Sequence, residues 1–173
     1  MTDTAKQEVQ ERYDRMAEAE LSGLGAFEPL GRAKTYFRAR KLQAALTLGL
    51  FPPGGWILEI GCSVGRFAFS LARLGYRVHG VDLSPRSIEL ARHRAVTEGL
   101  TGVSFSVGEA EDLRDVSSDQ CDGILSFSTL RYVTDVPRAL VEIRRVLKPG
   151  GQRCRGLPEP LVPVVLPEAM AGQ

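Results

Sequence analysis

Between residues 56 and 147 the chain alternates short apolar runs with longer segments of helical period, and this alternation narrows its fold more than any other feature. WILEI (56–60), YRVHGVD (76–82), GVSFSV (102–107) and CDGILSF (121–127) have the length and the β-branched or aromatic content of strands. GRFAFSLARLG (65–75), SPRSIELARHRAVTEGL (84–100) and DVPRALVEIRRVL (135–147) read as helices. Ser84-Pro85 offers an N-cap followed by proline at the first helical position, and Gly99 and the Lys148-Pro149-Gly150-Gly151 turn are stop signals. In the last helix Leu140, Ile143, Val146 and Leu147 form the apolar face. Strands and helices joined by short connections predict a parallel, doubly wound α/β sheet with right-handed crossovers.

The flanks differ in texture. Residues 5–20 read as a polar, acidic helix, followed by a bridge with Gly23, Gly25 and Pro29. Residues 32–50 read as a second helix, with Tyr36, Phe37, Ala44, Leu46 and Leu50 on one side and Arg38, Arg40 and Lys41 on a solvated face. Phe51-Pro52-Pro53-Gly54-Gly55 ends it. After Gly151, prolines at 158, 160, 163 and 167 exclude a central strand, and the segment reads as an extended, poorly ordered tail.

Charge and composition exclude several classes of function. Lys and Arg number 22 against 21 acids, so bulk electrostatics cannot hold the chain to nucleic acid. With 43% hydrophobic and 25% charged residues, wholesale disorder is excluded. No run reaches the roughly 18 apolar residues of a membrane span. The acids Asp3, Glu8, Glu11 and Asp14 do not suit a signal peptide. Cys62, Cys121 and Cys154 form no pairing pattern, and His79 and His93 lie away from them, so we expect no metal site and a cytoplasmic protein.

The chemistry centres on the first strand–loop–helix, WILEIGCSVGRF. Gly61 and Gly65 let the backbone pass close to a ligand at a helix N-terminus. The loop departs from the dinucleotide pattern G-x-G-x-x-G, which requires glycine at 63 and 66. Asp82 ends the second strand, 21 residues after Gly61, where a carboxylate can accept two hydrogen bonds from a ribose diol. The competing structural role for Asp82 is a helix cap, for which Ser84 is better placed. Cys62 reads as a small loop-filling residue, since nothing supplies a base beside it.

Together these segments resemble a class I S-adenosylmethionine (SAM)-dependent methyltransferase of the methyltransferase-type-11 kind, over residues 56–151. EIGCSVG (59–65) is similar to the family's E-x-G-x-G-x-G cofactor loop and VDLS (81–84) to its acidic ribose site. GEAEDL (108–113) resembles the adenine site, CDGILSF (121–127) the following strand, and RRVLKPGG (144–151) the closing helix–turn. The resemblance implies a cofactor site of Glu59, Gly61, Cys62, Gly65, Asp82, Leu83, Glu109, Ala110 and Ser126. Gly61, Cys62 and Gly65 would pass the methionine part, with Glu59 near its amino group. Asp82 would bind the ribose and Leu83 would pack on the adenine. Glu109 would reach the adenine amino group, and Ala110 would offer its N–H to the ring. Ser126 and Phe127 would border the sulfonium and a small-molecule acceptor. Candidates for a catalytic group are Tyr13, in a setting that resembles the family's N-terminal lid, and Arg131 and Tyr132 after the fourth strand.

The parts are then N-terminal helices (1–50) on the lid or substrate side, a SAM-binding Rossmann-like domain (51–151) and the tail (152–173). Two departures stand out. Ser63 replaces a glycine of the loop, so a positive φ there would carry strain of about a kcal/mol. The family's sheet has seven strands ordered 3-2-1-4-5-7-6, and here only the 3-2-1-4 core is legible. The tail has the texture of truncated or out-of-frame sequence, and an open strand-four edge would favour self-association. The alternative readings are a catalytically inactive SAM-binding fragment and an NAD-dependent oxidoreductase; Ser63, Arg66 and the K-P-G-G turn speak against the latter.

Overall fold

Four parallel strands run Trp56–Ile60 (β1), Arg77–Asp82 (β2), Val103–Val107 (β3) and Gly123–Leu125 (β4), in the spatial order β3-β2-β1-β4. The computed structural model describes residues 3–21, 30–49, 51–127 and 129–149. Among the described residues five α-helices accompany the strands: Asp3–Leu21 (α1), Leu30–Thr47 (α2), Arg66–Arg73 (α3), Pro85–Thr97 (α4) and Val136–Val146 (α5), with a 3₁₀ turn at Leu130–Tyr132. Register is set along β1, where Ile57 sits opposite Val78 on one side and Gly123 on the other. Chain order reverses between β1 and β4, and in an open α/β sheet such a switch point places the ligand crevice at the strands' carboxyl ends.

Alternation along β1 separates two cores. Ile57 packs with Val78, Phe105 and Leu125 against Leu42 and Ala45 of α2, Phe69 and Leu71 of α3 and Ile88 of α4. Leu58 and Ile60 pack with Val81 and Ile124 against Ala139, Ile143 and Val146 of α5. Ser84 caps α4, its hydroxyl accepting from the Ser87 N–H at 3.0 Å, as the sequence suggested.

Some expectations are corrected. On α2, Tyr36 is 61% exposed and Ala44 is exposed; Leu42 and Ala45 face inward instead. On α5, Leu140 is exposed and Ala139 takes the buried place, because the sheet is met by the 139, 143, 146 row. β4 is shorter than residues 121–127. Cys121 bridges to Leu147 instead, and the Asp122 carboxylate accepts from the Trp56 N–H at 2.8 Å while pairing with Lys148 at 2.6 Å. The proposed bridge at Gly23, Gly25 and Pro29, the side chain of Phe37, Leu50 and the tail lie outside the described residues. Among the described residues no helix is long and apolar enough to cross a membrane, and no cluster of His, Cys, Asp and Glu could hold a metal ion.

Candidate functional site

At the carboxyl ends of the strands lies a cavity of about 320 Å³, floored by the loops after β1, β2 and β3 and roofed by α1. Glu59, Gly61, Cys62, Asp82, Leu83, Glu109, Ala110, Tyr13 and Tyr132 all line it. Gly65, Ser126 and Arg131 do not. Gly65 begins α3 in the left-handed region (φ 79°), and a Cβ there would meet the Phe69 and Phe105 rings at 2.9 Å. Ser126 is buried, with a hydroxyl that finds no hydrogen-bond partner among the described residues. Arg131 is exposed, its guanidinium 5.2 Å from the Tyr132 ring centre.

The floor is tied together by backbone geometry. Gly61 (φ 75°) and Cys62 donate their N–H groups to the Val81 carbonyl, drawing the first loop onto β2. A Cβ at Gly61 would lie 2.0 Å from the Thr129 hydroxyl oxygen, so only glycine fits. That hydroxyl donates to the Ile60 carbonyl at 3.1 Å and clamps the loop after β4 onto the loop after β1. Ser63 does adopt a positive φ, 49°. The Asp82 carboxylate offsets the strain by accepting from the Ser63 N–H at 2.7 Å through Oδ2, while Oδ1 accepts from the Ser84 N–H at 2.9 Å. Each oxygen keeps a further lone pair for a ligand.

Burial sets the protonation of the site. Glu59 is 2% exposed and its Oε2 has no hydrogen-bond partner among the described residues. Burial drives its carboxyl well above the usual carboxylate range, against a hydrogen bond from the Ala68 backbone. Burial also raises Asp82, despite the Ser84 and Ser63 N–H groups, and pushes the Cys62 thiol well up. Cys62 therefore stays a thiol and fills the loop, as the sequence suggested. Burial and the neighbouring Tyr132 raise the phenol of Tyr13, whose ring meets that of Tyr132 edge to face at 6.2 Å.

The sequence reading missed several lining residues, among them Arg38, Phe67, Lys6, Gln10, Ala17 and Glu20, while Phe127 and Tyr13 were among its candidates. Arg38 was assigned to a solvated face but lines the cavity, 6.0 Å from the Phe67 ring centre, and makes no ion pair among the described residues. Burial lowers its pKa. The available signal was spacing: Arg38 lies one turn before Leu42 and two before Ala45, on the inward row of α2. Phe67 and Phe127 meet at 4.7 Å, and the Lys41 ammonium stands 5.3 Å from the Phe127 ring centre. On α1, Lys6, Gln10, Tyr13, Ala17 and Glu20 all line the cavity and share one helical face.

α1 is fastened along its length. Lys6 pairs with Glu109 at 2.6 Å and with Glu111 at 3.2 Å. Asp14 accepts from the Ser84 hydroxyl at 2.5 Å, and Ala17 is buried against Val64 and Leu90. Glu20 bridges Arg66 at 2.5 Å and Arg94 at 3.0 Å.

A family model described as "Methyltransferase domain" matches residues 58–154. Over 147 residues the chain is 31% identical to a ubiquinone biosynthesis O-methyltransferase of Cereibacter sphaeroides, a match spanning 81% of this chain and 59% of that protein. It is 35% identical over 131 residues to the S-adenosyl-L-methionine-dependent Diels-Alderase iccD of Talaromyces variabilis, spanning 74% and 44% of the two chains. Among solved structures it is similar to a Haemonchus contortus phosphoethanolamine N-methyltransferase bound to S-adenosylhomocysteine. That match has a TM-score of 0.60 and 28% identity, and covers 65% of this chain and 26% of the other. The chain spans about half the length of the curated relatives it matches.

Proposed function

The chain belongs to the methyltransferase-domain family of class I SAM-dependent enzymes, and from that premise we propose that its cavity binds SAM and presents the methyl group to a small-molecule acceptor. The observation that carries this reading is the set of acids that successive strand ends bring to one cavity: Glu59 from β1, Asp82 from β2 and Glu109 after β3. SAM carries groups that suit them in that order, an ammonium, a ribose diol and an aromatic amine. The residues fit the cofactor on independent grounds. Leaving the buried Glu59 Oε2 without a partner costs on the order of 1–3 kcal/mol, which a ligand's ammonium would relieve. Arg38, close enough to Glu59 to interact electrostatically, suits the carboxylate of the same amino-acid moiety.

When bound, the cofactor supplies an electrophilic methyl on a sulfonium, and the protein supplies alignment and a dry site. The aromatic rings of Tyr13, Tyr132, Phe67 and Phe127 line the cavity and shield it from water. With its proton held tightly, Tyr13 acts as a hydrogen-bond donor and not as a base near neutral pH. Ser126 and Arg131 stand outside the cavity, and Arg131 lies over the ring of the lining residue Tyr132.

Calorimetry with S-adenosylhomocysteine (SAH) and with NADH tests the reading. We expect binding of SAH and not of NADH. Asp82→Ala should weaken SAH by roughly 10- to 100-fold, the loss of a charged hydrogen bond of about 1.5–3 kcal/mol. Unchanged affinity in this variant would remove the ribose assignment. Because one relative is named a Diels-Alderase, transfer of label from methyl-labelled SAM to acceptor libraries separates methyl transfer from a cofactor that stays intact.

A further inference from the structure

The Lys6 ammonium, carried by α1, lies between two carboxylates of the loop after β3: Glu109 Oε2 at 2.6 Å and Glu111 Oε1 at 3.2 Å. The two acids differ sharply. Glu111 is buried, and its Oε1 also accepts from the Thr134 N–H at 2.9 Å and the Thr134 hydroxyl at 2.6 Å, so the start of α5 holds it fixed. The Glu109 side chain is 41% exposed, and Lys6 provides its hydrogen bond. Its other oxygen, Oε1, makes no hydrogen bond among the described residues.

We propose that Lys6 is a positioning residue that sets the purine specificity of the site: Thr134 fixes Glu111, Glu111 and Glu109 share Lys6, and Lys6 holds Glu109 so that Oε1 faces the exocyclic amine of a 6-aminopurine. This rests on the reading of the cavity as a SAM site with Glu109 at the adenine. The chemistry is direct. A glutamate side chain has three rotatable bonds, and without a second contact a half-exposed one spreads its carboxylate over several rotamers. An ammonium carries donors only, so it can occupy Oε2 while leaving Oε1 to accept from the ligand. A 6-oxopurine presents a carbonyl oxygen where adenine presents an amine, and a fixed carboxylate opposes it. A mobile carboxylate would turn away, and discrimination would fall.

The test measures binding of SAH and of its inosine analogue, S-inosylhomocysteine, to the full chain and to Lys6→Met, Lys6→Arg and Glu109→Ala, each checked by melting. The ratio of the two affinities is informative because any general loosening of α1 weakens both ligands alike. We expect the unmodified protein to prefer SAH by about tenfold or more, Lys6→Arg to keep that preference, and Lys6→Met and Glu109→Ala each to lower it to within about threefold of unity. If Lys6→Met weakens both ligands by the same factor, or raises the preference, Lys6 fastens the helix and does not position Glu109. If the unmodified protein binds both ligands equally, Glu109 does not read the amine and the inference falls with it. Failure to bind SAH at all would overturn the cofactor reading itself.

Discussion

A carboxyl group as deeply buried as that of Glu59, with one oxygen unpartnered, makes ligand binding sensitive to pH. Besides burial, the Asp82 carboxylate disfavours its charge, while the Ala68 backbone and the Arg38 guanidinium favour it. Burial dominates, so in the ligand-free protein the carboxyl titrates well above its ordinary value. Stability from the neutral form is fully present below the ordinary carboxylate pKa and is lost as pH rises through the raised one. Binding runs the other way, because an ammonium prefers the ionised carboxylate and must expel the proton below that raised pKa. SAH affinity should therefore rise with pH and level off once Glu59 is ionised, with proton release visible in buffers of different ionisation enthalpy. Glu59→Gln should flatten the profile; an unchanged profile in that variant would assign the proton elsewhere. Ser63 shows another local compromise, in which a serine in a left-handed position is held by the Asp82 carboxylate. The sequence showed that a positive φ at Ser63 would carry strain, and the structure supplies that φ. The sequence could not show that Asp82, chosen as a ribose ligand, also anchors that loop.

Among the elements, α1 shows where sequence reasoning reached its limit. Its helical character was legible, and Tyr13, singled out from the sequence, lines the cavity; the strands and helices from β1 to α5 were legible because their apolar periods, caps and glycine stops agree. The docking of α1 was not legible. It rests on polar contacts to residues distant in sequence, Lys6 to Glu109 and Glu20 to Arg66 and Arg94, and polar pairing leaves no periodic trace. Arg38 was missed for a related reason: a run of bases hides the one that points inward. Glu111 joins α1 to the start of α5. Burial alone would raise its carboxyl, but hydrogen bonds from Thr134 and Lys6 hold it at about 2. A depressed pKa gives stability that is present above the ordinary value and lost as pH falls towards about 2. Glu111→Gln should destabilise the fold at pH 7 by on the order of 2–3 kcal/mol, read as a lower melting temperature, and the difference should shrink as pH falls from 4.5. A constant difference across that range would mean that Glu111 acts through packing and not through charge.

For the molecule as a whole, the loops after β1, β2 and β3 and the helix α1 line one cavity, although their side chains lie far apart in sequence. The sheet's switch point between β1 and β4 explains why the site is where it is. It also explains why the resemblance could be read from short segments, since each contributes one strand end. The acceptor was not legible, because the wall that would face it is built from Phe67, Phe127, Tyr132 and Tyr13, which come from four separate elements or loops. The central claim is that SAM occupies this cavity beneath α1. Hydrogen exchange of the full chain with and without SAH tests it most directly. Added protection should appear at residues 59–66, 82–84 and 108–113 and along α1, with α5 unchanged. Protection absent from those segments, or produced by NADH and not by SAH, would contradict the account.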